Sequence, residues 1–157
     1  MASCCAYVYL TQPGEFGHIL NVLAARRSLH SLGSQVPLQV LVPAAEQNSH
    51  IAATLTLLKR LSFSHAGVLN TSLIERPLLA RGYGDVGQYG TFRKLALFGY
   101  AKWERVVFMD SDALPLGRPD ALFGSRGIHA ATENGEPFEL NSGVLAFSRN
   151  ASDRKST

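Results

Sequence analysis

Four short apolar runs, at 4–10, 38–43, 65–70 and 105–110, are separated by segments long enough for helices, and this alternation limits the fold more than any other feature. A run such as "RVVFMD" (105–110) carries its charges only at its ends, the pattern of a strand buried on both faces of a parallel sheet. The first run closes at Thr11, and "QPGEFG" then breaks it. In "FGHILNVLAARRSLHSLG", Phe16, Ile19, Leu20 and Leu23 recur at helical spacing, and Gly33 stands where a left-handed C-terminal residue is wanted. "EQNSHIAATLTLLKRLSF" (46–63) predicts a second helix and "TFRKLALFGYAKW" (91–103) a third, with Phe92, Leu95 and Phe98 or Gly99 on one face. The stretch 71–90, broken by glycines and a proline, reads as a long functional loop. "RPDALF" (118–123) predicts a helical turn, 129–134 and 143–148 predict further strands, and 149–157 a polar tail. The expectation is an α/β fold, a mostly parallel sheet flanked by helices, with ligands beyond the carboxyl ends of the strands.

Composition adds exclusions. A chain of 157 residues is about one domain, and 46% hydrophobic with 17% charged residues fits a packed core rather than disorder. The net charge of +3 includes no run of five or six like charges, so neither nucleic acid nor a membrane surface is an expected partner, while an anionic small molecule stays open. Cys4 and Cys5 are adjacent and suited to packing, which argues for a reducing compartment. No apolar stretch approaches a membrane span of about 20 residues, and the start lacks a secretory pattern, so the expected location is cytoplasmic.

The chemistry concentrates at "FMDSDAL". Asp110 and Asp112, one residue apart at the end of a buried strand, can both reach one hard cation with oxygen ligands. By themselves such carboxylates also suit a solvated turn or a helix cap. Two catalytic chemistries use this placement. A haloacid-dehalogenase-like phosphatase would use Asp110 as nucleophile, but Leu114 stands where its motif has Thr or Val, and little chain follows.

The second chemistry fits more residues. "TFRKLALFGYAKWERVVFMDSDALPLGRPDALF" resembles the central block of the glycogenin-like family, glycosyltransferase family eight, with its Thr-x-x-Lys-Leu helix start, apolar strand, D-x-D and Asp-x-Leu-Phe turn. "LNSGVLAFS" resembles the family's Phe-Asn-Ser-Gly-Val strand, with Leu140 in place of the aromatic, and "AYVYLTQ" its first strand. The resemblance implies a GT-A fold over residues 1–149, followed by a tail at 150–157. It also implies a manganese-dependent, retaining transfer of a hexose from a uridine-diphosphate sugar to an acceptor hydroxyl.

By the same resemblance, Asp110 and Asp112 hold manganese, or magnesium in its place, on the diphosphate, and Ser111 lies beside the ribose. Thr11 and Gln12 meet uracil and ribose. Lys94 takes a phosphate or sugar hydroxyl, and Asn141 and Ser142 take donor-sugar hydroxyls. Loss of either carboxylate is expected to affect turnover rather than folding. Arg93 reads as a solvated surface cation, Trp103 as a packing residue, and the five histidines show no ligand spacing. The acceptor is a carbohydrate, protein or polyol, and a homodimer is left open. The family's later His-x-x-Gly-x-x-Lys-Pro-Trp segment, with its third metal ligand, has no counterpart after Asn150, so the chain reads as truncated C-terminally. A catalytically inactive, nucleotide-binding remnant is therefore the alternative function.

Overall fold

The computed structural model describes residues 4–44, 49–80, 92–100, 102–132 and 140–148. The tail expected at 149–157 lies outside them, as do residues 81–90 of the expected loop. The elements in order are β1 (Cys5–Leu10), α1 (Phe16–Ser31), β2 (Leu38–Ala44), α2 (Ser49–Arg60), β3 (His65–Asn70) and α3 (Ser72–Ala80). A 3₁₀ helix (Lys94–Gly99), β4 (Arg105–Met109), a second 3₁₀ helix (Pro119–Gly124), β5 (Ile128–Thr132) and β6 (Leu140–Ser148) follow.

The six strands form one sheet in the order β3-β2-β1-β4-β6-β5. The pairs β1–β2, β2–β3 and β1–β4 are parallel, whereas β6 runs antiparallel to both β4 and β5. The sheet is thus mostly parallel, as expected, with an antiparallel edge. The strand order reverses between β1 and β4, and a crevice opens at such a switch point, beyond the carboxyl ends of the two strands.

Strand periodicity sorts the core into two layers. Tyr7, Tyr9, Val40, Val42, Val107 and Met109 face α1 and α2, while Ala6, Val8, Leu41, Val106 and Phe108 face the 3₁₀ helix with Leu97 and Trp103. Trp103 is buried, as a packing residue should be, and meets His65 edge to face at 5.5 Å.

Three expectations are corrected. On α1 the buried residues are Ile19, Val22, Ala25 and Leu29, and Phe16 and Leu20 are each 65% exposed, so the inward face is rotated from the one expected. Part of the expected loop is the helix α3: the Thr71 carbonyl accepts the amides of Ile74 and Glu75, and Glu75 sits favourably in the first turn. Pro77 lies inside this helix. The helix expected at 91–103 runs as a 3₁₀ helix from Lys94 and ends at Gly99. Its period of three turns Lys94 and Leu97 inward and leaves Phe92 and Leu95 half exposed.

Under the sheet, Asp120 accepts hydrogen bonds from the Tyr7 hydroxyl, from Ser34 Oγ at 2.7 Å and from Arg118 Nε at 2.6 Å. Burial alone would raise the Asp120 pKa, but these donors together hold it below the usual aspartate range. The bound carboxylate therefore stabilises the fold above about pH 4, and that contribution is lost as pH falls through the lowered folded value. Asp120→Asn is expected to cost about 1–3 kcal/mol at neutral pH. Urea unfolding between pH 2 and pH 7 checks this, and the variant's acid dependence should be flatter than the wild type's.

Candidate functional site

The crevice at the switch point is lined by Leu10, Thr11, Gln12, His18, Pro43, Arg93, Lys94, Asp110, Ser111 and Asp112. It runs from β2 across the end of β1 to the end of β4, two strand spacings or about 10 Å. The two sides differ in chemistry. Toward β2 the wall is apolar, with Leu10 and Pro43, and toward β4 it carries Lys94 and both carboxylates.

Lys94 organises the charged side. Turned inward by the 3₁₀ helix, its side chain is only 8% exposed, and Nζ donates to Asp110 Oδ1 at 3.1 Å and Oδ2 at 3.2 Å. The same ammonium donates to the Ser142 carbonyl at 3.1 Å and Ser142 Oγ at 3.0 Å, and lies 5.3 Å from the centroid of the Phe108 ring. A buried ammonium needs this set of partners, since desolvation is offset only by charge-assisted bonds.

Asp110 is fixed by its backbone as well. Its amide donates to the Gly143 carbonyl at 2.8 Å, and its own carbonyl accepts the Ala113 amide at 2.9 Å, which turns the chain after β4. A Cβ on Gly143 would sit 2.9 Å from Asn141 Oδ1 and 3.4 Å from Asp110 Oδ2, so a glycine there lets β6 approach the carboxylate. The register of β5 against β6 jumps from Ala130↔Leu145 to Ala131↔Asn141, and this bulge carries Ser142 and Gly143 toward the crevice. Asp112 is exposed and makes no side-chain hydrogen bond to a described residue.

Of the residues singled out in the sequence, Thr11, Gln12, Lys94, Asp110, Ser111 and Asp112 come together around one crevice. Ser142 reaches it through Lys94, and Asn141 stands behind Gly143, whose amide donates to Asn141 Oδ1 at 2.7 Å. The strand expected from 143 begins earlier, at Leu140, and includes both. Thr11 is fully buried, its amide donates to the Leu41 carbonyl, and its Oγ1 has no partner among the described residues.

The reading of Arg93 as a solvated cation is corrected. Its side chain is 16% exposed, Nε donates to Glu75 Oε1 at 2.7 Å, and Nη1 donates to Gln12 Oε1 at 2.6 Å. Glu75, on the unforeseen helix α3, also accepts from Thr71 Oγ1 at 2.6 Å. His18 was passed over as well. It lies in the first turn of α1, lines the crevice, and its Nδ1 is 3.0 Å from Ser111 Oγ. Its place just after the β1 loop was the only signal for it.

No family model matches the chain. Over 130 residues, 83% of this chain and 27% of the relative's length, it is 29% identical to Glycogenin-1 of Caenorhabditis elegans. That likeness is to a glycogenin. It is also 25% identical over 122 residues to Glucose N-acetyltransferase 1-B of Kluyveromyces lactis, covering 74% of this chain and 26% of that one. The chain thus spans about a quarter of the length of the curated relatives it matches. Its fold is the GT-A fold of the galactosyltransferase LgtC, solved in complex with donor and acceptor sugar analogues. The TM-score is 0.57 and the identity 16%, over 91% of this chain and 57% of that one. Among the described residues, no helix is long and apolar enough to cross a membrane.

Proposed function

We propose that residues 1–149 form the donor-binding part of a retaining glycosyltransferase that moves a hexose from a uridine-diphosphate sugar to an acceptor hydroxyl. The observation that carries this reading is the crevice between β1 and β4, where an apolar wall and a charged wall lie about one nucleoside diphosphate apart. The likeness to Glycogenin-1 and to a galactosyltransferase supports a hexose as the group transferred.

The donor set fits a divalent ion held jointly by protein and substrate. Among the described residues no group of three His, Cys, Asp or Glu could cage a metal. Manganese and magnesium, however, bind through one or two carboxylates completed by phosphate oxygens and water, and Asp110 with Asp112 supplies those carboxylates. When bound, the metal would supply Lewis-acid neutralisation of charge on the departing diphosphate.

The chain's own residues divide the remaining work. Asp110 and Asp112 hold the ion, and Lys94 keeps Asp110 aimed while offering positive charge to the diphosphate or to a sugar hydroxyl. Gln12 faces the uracil and ribose, with Thr11 buried behind it, and Leu10 and Pro43 provide an apolar surface for the base. Ser111, held by His18, stands beside the ribose. Asn141, whose Oδ1 is already engaged, and Ser142 are left to donate to sugar hydroxyls.

The test is incubation of the chain with uridine-diphosphate glucose or galactose and manganese, following release of uridine diphosphate and the anomeric configuration of the sugar by NMR. The reading expects release dependent on manganese, with an α product from an α donor. A β product would sink retention. Binding without release would identify this polypeptide as a nucleotide-binding remnant.

A further inference from the structure

Cys4 and Cys5, the only cysteines of the chain, are both thiols and lie at the opposite end of β1 from the crevice. In a regular strand adjacent side chains point to opposite faces of the sheet, which holds neighbouring sulfurs apart. Here β1 begins at Cys5 and the chain bends at Cys4, so the alternation fails and the two Sγ atoms meet at 3.1 Å. The bend is held from β4: the Cys4 carbonyl accepts the amides of Glu104 at 2.9 Å and of Arg105 at 3.0 Å. Cys4 is exposed and Cys5 half-buried. Burial and the adjoining Cys4 push the Cys5 thiol up to about 11, which makes the exposed Cys4 the first to attack.

We propose that Cys4 and Cys5 form a redox-active vicinal dithiol, a modification site that low-molecular-weight disulfides oxidise and that closes within the pair. The Cys4 thiolate attacks one sulfur of the disulfide, whose S–S bond breaks, and the first half leaves as a thiolate. That mixed disulfide removes the Cys4 charge holding the Cys5 proton. Cys5 then loses its proton to solvent, attacks Cys4 Sγ and expels the second half as a thiolate, closing a Cys4–Cys5 bond. The protein dithiol gives up two protons and two electrons, and the reagent is reduced to two thiols. Adjacent Cα atoms are about 3.8 Å apart, short of the roughly 4.4–6.8 Å of ordinary disulfides. The bond is therefore strained and readily reduced, as suits a labile regulatory disulfide rather than a structural one. The pair sits at the starts of β1 and β4, about 17 Å from the crevice at their ends, and the inference does not rest on the donor-site reading.

The experiment treats the reduced, folded chain with excess dithiobis(nitrobenzoate), an aromatic disulfide, follows the released aromatic thiolate by absorbance and weighs the product by intact-protein mass spectrometry. The wild type is expected to release two aromatic thiolates per chain and to emerge two hydrogens lighter, with no adduct. Dithiothreitol should then restore the starting mass. Cys5→Ser should release one thiolate and retain the aromatic adduct at Cys4, because nothing is left to displace it. An adduct retained on wild-type Cys4, on Cys5 or on both overturns the proposal, since the thiols then react singly. A disulfide joining two chains overturns it as well. The mass of the wild-type product decides the matter even where the variant does not fold.

Discussion

Asp110→Asn is expected to cost both function and stability, whereas Asp112→Asn costs function alone. The difference follows from Lys94. Asp110 faces an ammonium that is 8% exposed, and the amide of Asn offers that charge a neutral oxygen and no counter-charge, beside the two Ser142 oxygens. Removing one partner of a buried pair costs about 3–5 kcal/mol when both members are deep. Asp110 is itself 38% exposed, so screening reduces the expected loss to about 1–3 kcal/mol. Asp112 has no such partner among the described residues, and its substitution should leave the unfolding midpoint unchanged. Both variants remove a carboxylate from a charge-stabilising site, for which a fall in turnover of about 100- to 1,000-fold is the typical scale. Thermal unfolding of the two variants beside donor-hydrolysis rates checks the split. An equal stability loss in both would show that the Lys94 pair does not bear on the fold.

Lys94→Met is expected to have the next largest effect, and in the opposite proportion. Methionine retains much of the apolar stem over Phe108 and removes a charge that is costly to bury, so stability should change by less than about 2 kcal/mol. Function should suffer more. Asp110 loses the contact that aims it, Ser142 loses its link to the crevice, and an anionic ligand loses the buried cation facing it. Affinity for uridine diphosphate should fall about 10- to 100-fold. Lys94→Arg should not restore it, because the guanidinium is larger and planar where a compact ammonium meets three oxygen-bearing groups. Calorimetry on the two variants measures this, and full affinity in Lys94→Met would remove Lys94 from the site.

How much of this was legible depended on periodicity. The runs around Val8, Val40 and Val107 are apolar on nearly every residue, so central strands and the crevice at their carboxyl ends followed directly, with Asp110 and Gln12 placed there. The α3 helix was hidden by Pro77, which reads as a breaker, although Thr71 and Glu75 were present to start a helix. With α3 missing, Glu75 had no position, and nothing in the sequence could show that Arg93 is bound from two sides. Lys94 was found through resemblance rather than pattern. Its burial depends on a 3₁₀ period that brings it into line with Leu97, while an α-helical reading turns Phe92 and Leu95 inward instead. Likewise the bulge that delivers Ser142 to Lys94 arises from a register jump between two strands, a tertiary event with no local signature.

The most direct test of the central claim is calorimetric titration of uridine diphosphate into the folded wild-type chain with and without manganese. The account predicts binding that strengthens at least about tenfold when manganese is present, a gain lost in Asp110→Asn and Asp112→Asn. Binding indifferent to manganese and to both carboxylates, or no binding by the folded chain, would contradict it.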